Sequence, residues 1–355
     1  MDAGWQLLQC LAVPMIQAPM AGGVSTPALA AAVATAGGIG SLGFAYSAPE
    51  RIEADLKATR AVTDGVINAN FFVFPSADAV RFSDTEGQLA RLALERVIAE
   101  SGLGVARPSL PQAPWYPDLV AQLEPVWDLR PQVLSFHFGL PDRWVIERAR
   151  ALGIVVAVTA TSVGEARLIE GAGAGLVVAQ GIEAGGHRGR FNGAMSGSDQ
   201  AMTTLELVAA LQGQVRLPVV AAGGVMDGAD AARVMSAGAA AVQMGTAFLR
   251  CPESGASAAH RRLCVEGAGR GTELTAGFSG RLARGIRNGF IERMRGQPVL
   301  PFPLQNTMTG ALRAAAVAAD DPEHQSLWAG TGYWRTRSLG AGGLVCEIRH
   351  YLSGA

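Results

Sequence analysis

The chain has 355 residues, 49% of them hydrophobic and 17% charged, with a formal net charge of −1. That length can bury one large α/β core or two ordinary ones, and near-neutrality with scattered basic residues excludes the electrostatic footprint of a nucleic-acid or anionic-membrane binder. Cys10, Cys251, Cys264 and Cys346 lie far apart without a CxxC pair, so nothing suggests a disulfide framework or a zinc site, and a reducing cytoplasm fits.

The segment Met1–Cys10 has neither a basic start nor a long apolar stretch, and no apolar run reaches membrane-spanning length. A soluble, unexported protein is expected. From there, short apolar runs of β character recur, each followed by a turn and a helical segment. This is the pattern of βα units around a parallel sheet. The first run, Pro14–Pro19, leads through Met20-Ala21-Gly22-Gly23 to a helix over Pro27–Ala36. Ile39–Gly43 precedes a helix over Pro49–Ala61, and Val66–Val73 carries Asn68-Ala69-Asn70-Phe71. Pro75–Arg130 then breaks the rhythm, with helix-like Gly87–Ser101 and a proline-rich passage at Pro108–Pro117.

The rhythm resumes with Val133–Phe138, a helix over Pro141–Leu152, Ile154–Val158 and a helix over Ser162–Gly171. Leu176–Ala179, a helix over Thr204–Gln212, Pro218–Ala222, a helix over Asp227–Ala237 and Ala240–Met244 complete it. A second break, Cys251–Pro303, includes the glycine-rich Gly267–Gly271, reads as a lid, and is followed by a helix over Thr309–Ala319. Eight units favour a closed (β/α)8 TIM barrel over residues 1–250 and 306–355, with a smaller lid or substrate domain at 251–305. An open doubly wound sheet gives similar local signals.

In such a barrel the chemistry gathers at the C-terminal ends of the strands, with phosphate after strands seven and eight. The seventh run ends in Ala222-Gly223-Gly224, where glycines let backbone approach a ligand. The eighth ends in Gln243-Met244-Gly245-Thr246, a glycine beside a hydroxyl. Either segment alone reads equally well as a tight turn; together, at these two strands and ahead of helix N-termini, they imply a phosphorylated ligand. The loop after the sixth run, Gln180 to Gly189, sets His187 among glycines in a chain with only five histidines. Imidazole there can accept a proton or steady an anion, the plainer alternative being a turn cap.

His137, between Phe136 and Phe138, is balanced between a catalytic group and a hydrogen-bonded core residue. Asn70 suits a heterocycle edge and Met20 its face, against the alternative of a buried amide satisfying loop backbone. Walker, GxSxG, HExxH and GxGxxG patterns are absent at the places where they would carry meaning, and no metal-ligand cluster is visible.

These residues together resemble class I of the nitronate monooxygenases. The resemblance rests on Pro14–Val24, Asn70–Val73, Ser135–Pro141, Ala179–Gly189, Ala222–Gly224, Gln243–Thr246 and Phe278–Arg281, and runs nearly end to end. It implies non-covalent FMN in a TIM barrel covered by a smaller domain. Asn70, Gln180 and Gly185 would contact FMN, Gly224 and Gln243–Thr246 would hold its phosphate end, and Met20 would lie beside the ring. His187 matches the family's catalytic histidine. The implied reaction takes an alkyl nitronate, such as propionate 3-nitronate, with O2 to a carbonyl compound and nitrite. Asn68-Ala69 stands where a glycine-containing strand exit is commoner. The runner-up is an FMN-dependent reductase that draws hydride from NAD(P)H to reduce a quinone or an enoyl-acyl carrier protein. A non-catalytic phosphate-ligand barrel is a third possibility.

Overall fold

The computed structural model describes residues 3–76, 79–192, 199–266 and 268–354. Eight parallel strands form one sheet: β1 (Met15–Gln17), β2 (Gly40–Gly43), β3 (Ile67–Phe72), β4 (Val133–His137), β5 (Val155–Ala160), β6 (Leu176–Gln180), β8 (Val219–Ala222) and β9 (Ala241–Met244). The order β1-β9-β8-β6-β5-β4-β3-β2 ends where it began. A parallel bridge between Ile16 and Ile39 joins the two edges, with Ile39 N donating to Met15 O and Gln17 N to Ile39 O, both at 2.9 Å. This is a (β/α)8 barrel, and the open-sheet alternative falls. All eight expected runs are strands, and Gly267 of the expected glycine-rich run lies outside the described residues.

The continuous apolar character of these strands follows from burial on both faces. Residues such as Met15, Ala69, Phe71, Phe136, Val158 and Val242 pack outward against the helices, and Ile16, Ile39, Val133, Val178, Val220 and Ala241 fill the barrel's interior. Because side chains alternate, the interior row of each strand continues towards its C-terminal end. There the residues turn polar: Asn70 on β3, His137 on β4, Thr159 on β5, Gln180 on β6 and Gln243 on β9. The sequence thus builds an apolar plug below and a polar mouth above.

Helix starts follow local capping rules. Thr26 Oγ1 accepts from Leu29 N at 3.0 Å ahead of the Pro27–Thr35 helix, and proline at its first position needs no N–H there. The Asp84–Ser101 helix opens with a Ser83–Glu86 capping box and closes on left-handed Gly102, which fixes a start three residues earlier than the Gly87 expected from apolar periodicity.

The two stretches that break the βα rhythm meet. Val80, Ala90, Leu94 and Val97 from the first share one hydrophobic core with Phe278 and Phe290 from the second and with Leu304 and Leu312 from the helices that follow it. A small antiparallel sheet lies beside it. β10 (Thr272–Thr275) pairs with β11 (Ala283–Ile286), and β11 pairs with the two-residue β7 (Gly186–His187) that follows β6. Arg188 N continues this pairing to Leu282 O at 2.9 Å.

Candidate active site

His187 stands at the seam between the barrel and this small sheet. Its backbone carbonyl accepts two bonds, from Gln180 Nε2 at 2.9 Å and from His137 Nε2 at 3.1 Å. A carbonyl cannot donate, so His137 carries its proton on Nε2, and its Nδ1 accepts from Thr159 Oγ1 at 3.0 Å. Gln180 is fixed in turn, its Oε1 accepting from Gly189 N at 2.7 Å. Arg188, 3% exposed, donates to Gln180 O and Gly181 O and pairs through Nη2 with Asp199 at 2.9 Å. The Arg188 guanidinium holds the Asp199 carboxyl below its usual range. The loop's conformation therefore rests on a buried cation that is ion-paired and hydrogen-bonded at all three of its nitrogens, which offsets the cost of burying it.

The His187 ring lies among Phe72, Phe138, Phe302 and Trp328, with centroids 6.0, 5.6, 5.8 and 5.6 Å away. Its Nε2 meets Ser279 Oγ at 2.9 Å. Burial, then the charges of His137, Arg281 and Arg313, push His187 down to about 3. Burial pushes His137 down to about 4 against the contact with the His187 carbonyl, which raises it. Both rings are neutral at working pH, so His187 faces a ligand as imidazole and not as imidazolium.

Two guanidiniums supply the positive charge instead. Arg281 lies over the Phe138 ring, its Cζ 4.0 Å from the centroid, and donates to Asn192 Oδ1 and Arg190 O. Burial lowers it to about 10. Arg313 donates to Asn306 O at 2.7 Å and Thr309 Oγ1 at 3.2 Å, and burial lowers it as well. Neither forms an ion pair with a carboxylate among the described residues. An aromatic chamber with two cations, neither of them ion-paired to a carboxylate among the described residues, is suited to an anionic ligand.

The glycine turns form the other half of the mouth. Gly223 and Gly224 have φ of +117° and +70°, conformations that side chains resist. A Cβ on Gly223 would stand 2.9 Å from Thr204 Oγ1, and one on Gly185 would stand 2.5 Å from the backbone of Ala329 and Gly330. Met20 Sδ lies 3.7 Å from where a Cβ of Gly245 would be, which puts Met20 beside the eighth-strand turn. Thr246 Oγ1 accepts from Gly330 N at 2.9 Å, and Glu183 O accepts from Thr331 N at 3.0 Å. Met20, Gly185, Gly223, Gly224, Gly245 and Thr246 thus line one connected rim.

Other expected residues sit differently. Met244 is 1% exposed and packs outward in the barrel–helix core, so only its backbone faces the rim; its carbonyl already accepts from Ala18 N at 2.8 Å. Asn70 is 6% exposed and donates to Ser135 Oγ at 2.9 Å. Asn68, one interior layer below, donates to Ser41 Oγ at 3.0 Å, and its buried Oδ1 has no partner. Gln243 is half-buried at the end of β9. The helix N-termini expected to face phosphate are otherwise engaged. After β8, Asp230 N donates to Asp227 Oδ1 at 3.0 Å, and β9 runs into a single 3-10 turn, Thr246–Phe248. The glycine backbone and the Thr246 hydroxyl are what remain for an anion.

Sequence reasoning gave no role to Ser279, Arg281, Arg313, Phe302 or Trp328. Ser279 and Arg281 lay within the Phe278–Arg281 segment; the signal for Arg313 was a lone charge in the alanine-rich Gly310–Ala318 helix.

Residues 6–349 match the family model described as nitronate monooxygenase. A nitronate monooxygenase of Pseudomonas aeruginosa is 43% identical over 348 residues, 96% of each chain. One of Paraburkholderia phytofirmans is 39% identical over 346 residues, 96% of this chain and 92% of the relative. Among solved structures, a nitroalkane oxidase from Streptomyces ansochromogenes superposes with a TM-score of 0.89 at 39% identity, covering 99% of this chain and 98% of that one. FabK from Thermotoga maritima, at 24% identity and a TM-score of 0.75, shares the fold. With a family match over nearly its whole length and relatives this similar across both chains, the protein belongs to the nitronate monooxygenase family of oxidoreductases.

Proposed function

We propose that the protein is an FMN-dependent nitronate monooxygenase that oxidises alkyl nitronates, propionate 3-nitronate among them, with O2 to a carbonyl compound and nitrite. The observation that carries this reading is the chamber around His187, in which Arg281 and Arg313 are half-buried and form no ion pair with a carboxylate among the described residues. Withdrawing a cation from water without an ion-paired carboxylate is costly, and an anionic substrate offsets that cost when it binds. Arg281 and Arg313 bind and orient the nitronate, and the ring of Phe72, Phe138, Phe302 and Trp328 excludes water and so strengthens the attraction.

The mouth fits a flavin nucleotide. Gly223 and Gly224 form a cradle that a Cβ would fill, with Gly245 and Thr246 beside them for the phosphate end. Asn70, Gln180 and Gln243 offer amides to the ring edge, and Met20 offers its thioether to the face. When bound, FMN supplies the electron transfer. His187 was expected to be catalytic and His137 stood balanced between that role and a hydrogen-bonded core residue; we assign contact with substrate to His187, and to His137 the hold on the His187 main chain. The smaller domain, expected at 251–305, is here proposed to include the Asp84–Ser101 helix, because that helix shares its core.

The test is an anaerobic flavin spectrum of the purified protein before and after propionate 3-nitronate and, separately, NADH. Bleaching by the nitronate alone is expected. Bleaching by NADH alone would replace this reading with the reductase, and a colourless protein would remove both.

A further inference from the structure

Ser279 is 1% exposed and sits in the connection between β10 and β11. Its Oγ meets three polar atoms: Arg281 O at 3.0 Å, Arg281 N at 3.3 Å and His187 Nε2 at 2.9 Å. A serine hydroxyl has one proton to give and two lone pairs to offer. The Arg281 carbonyl only accepts, so it takes the serine proton; the Arg281 N–H only donates, so it takes one lone pair. One lone pair remains, at the 2.9 Å contact, and a protonated Nε2 completes it. The reverse arrangement, in which Ser279 donates to Nε2, leaves the Arg281 carbonyl contact as two oxygens with no hydrogen between them.

We propose that Ser279 is a positioning residue that fixes His187 as the Nε2–H tautomer, leaving the Nδ1 lone pair for the substrate. No hydrogen bond to Nδ1 is made by any described residue. The main chain of His187 is held by His137 and Gln180, so the ring has a fixed pivot at one end and Ser279 at the other. Burial keeps the ring neutral, and a neutral imidazole carries one proton.

A chemical division of labour follows, resting on the proposed nitronate chemistry. An Nδ1 lone pair cannot donate to an anionic nitronate, so binding of the anion falls to Arg281 and Arg313. It can accept the α-proton of a neutral nitroalkane: the C–H bond breaks, its electron pair stays on the substrate as the nitronate, and the proton moves to Nδ1.

The experiment is a long-range 1H–15N correlation spectrum of FMN-loaded protein labelled at histidine. The chain has five histidines, and His187 is assigned from the signal lost in His187→Asn. Wild type is expected to show a protonated Nε2 and a pyridine-like Nδ1. Ser279→Ala should populate the Nδ1–H form, and Ser279→Thr, which keeps the hydroxyl, should restore the wild-type pattern. An Nδ1–H tautomer in wild type, or an unchanged tautomer in Ser279→Ala, would overturn the proposal. Should the alanine variant lose its fold, Ser279→Cys, with a far weaker acceptor, takes its place. In kinetics, Ser279→Ala should slow nitroalkane deprotonation roughly tenfold, the worth of one hydrogen bond, while flavin reduction by preformed nitronate changes less. Equal loss on both would make Ser279 merely structural. The tautomer is read without turnover, so a failed nitronate assay would count against the proposed function and leave this result standing.

Discussion

His187 is gripped by its main chain and steered by its side chain, and those two functions belong to different neighbours. Gln180 and His137 hold the carbonyl; Ser279 meets the ring. Replacing the ring should therefore leave the loop in place. His187→Asn is expected to keep FMN, seen as an unchanged flavin absorbance per protein, and to lose about 10²- to 10⁴-fold in nitronate turnover. Wild-type turnover would remove His187 from catalysis. The same burial has a thermodynamic signature. His137, His187 and His260 are pushed down to about 4, 3 and 4, in each case chiefly by burial. Between about pH 6.5, where an unperturbed histidine titrates, and those values, the unfolded chain binds protons that the folded chain refuses. Stability from this source is intact above that window and falls as pH falls through it. His260 lies away from the site, so His260→Gln should flatten the drop in urea midpoint between pH 7 and 5 while leaving turnover at pH 8 unchanged. An equally steep drop would show that His260 titrates normally in the fold.

At the scale of elements, the site is made by turns whose backbone has no room for side chains. Gly224→Asp adds a carboxylate and a strained φ to the proposed phosphate cradle and should yield colourless protein; full flavin occupancy would disprove that cradle. Gly185→Ala sets a Cβ 2.5 Å from the Ala329 and Gly330 backbone. An expected cost of about 1–3 kcal/mol would be read as a lowered melting temperature, together with weaker flavin retention. The strands and these turns were legible because each is a local pattern: an apolar run, then glycine. β7 was not, since two residues carry no periodicity and its pairing partner lies almost 100 positions away in β11. Arg313 and Trp328 escaped for the same reason. Their contribution arises from tertiary approach, and the sequence around them reads as ordinary helix and loop. The helix N-terminus after β8 misled because Asp227, which caps it, is itself an acidic residue suited to that place.

At the scale of the molecule there are two principal cores, one wrapped around the barrel and one formed from the two interruptions and the helices that follow the second. The second was half legible. Cys251–Pro303 stood out as an insertion, but that Val80–Val97 would join it could not be read from either stretch alone. Leu94, fully buried in that second core, offers a separate handle on it. Leu94→Ala should cost about 2–5 kcal/mol, measured by thermal unfolding, without loss of barrel secondary structure by circular dichroism. A change under about 0.5 kcal/mol, the usual range for exposed positions, would mean that the shared core does not support the fold.

The segment at Gly330–Thr331 lies across the rim, bonded to Thr246 and Glu183, although the eight strands that make the barrel are finished by Met244. On the ribosome, the whole parallel sheet emerges well before the last piece of its own doorway. A nascent chain stopped near residue 325 would carry every strand and every glycine of the cradle, yet lack the strip that braces the loops around it. The brace across the rim is thus added late in synthesis, after every strand whose loops it ties together.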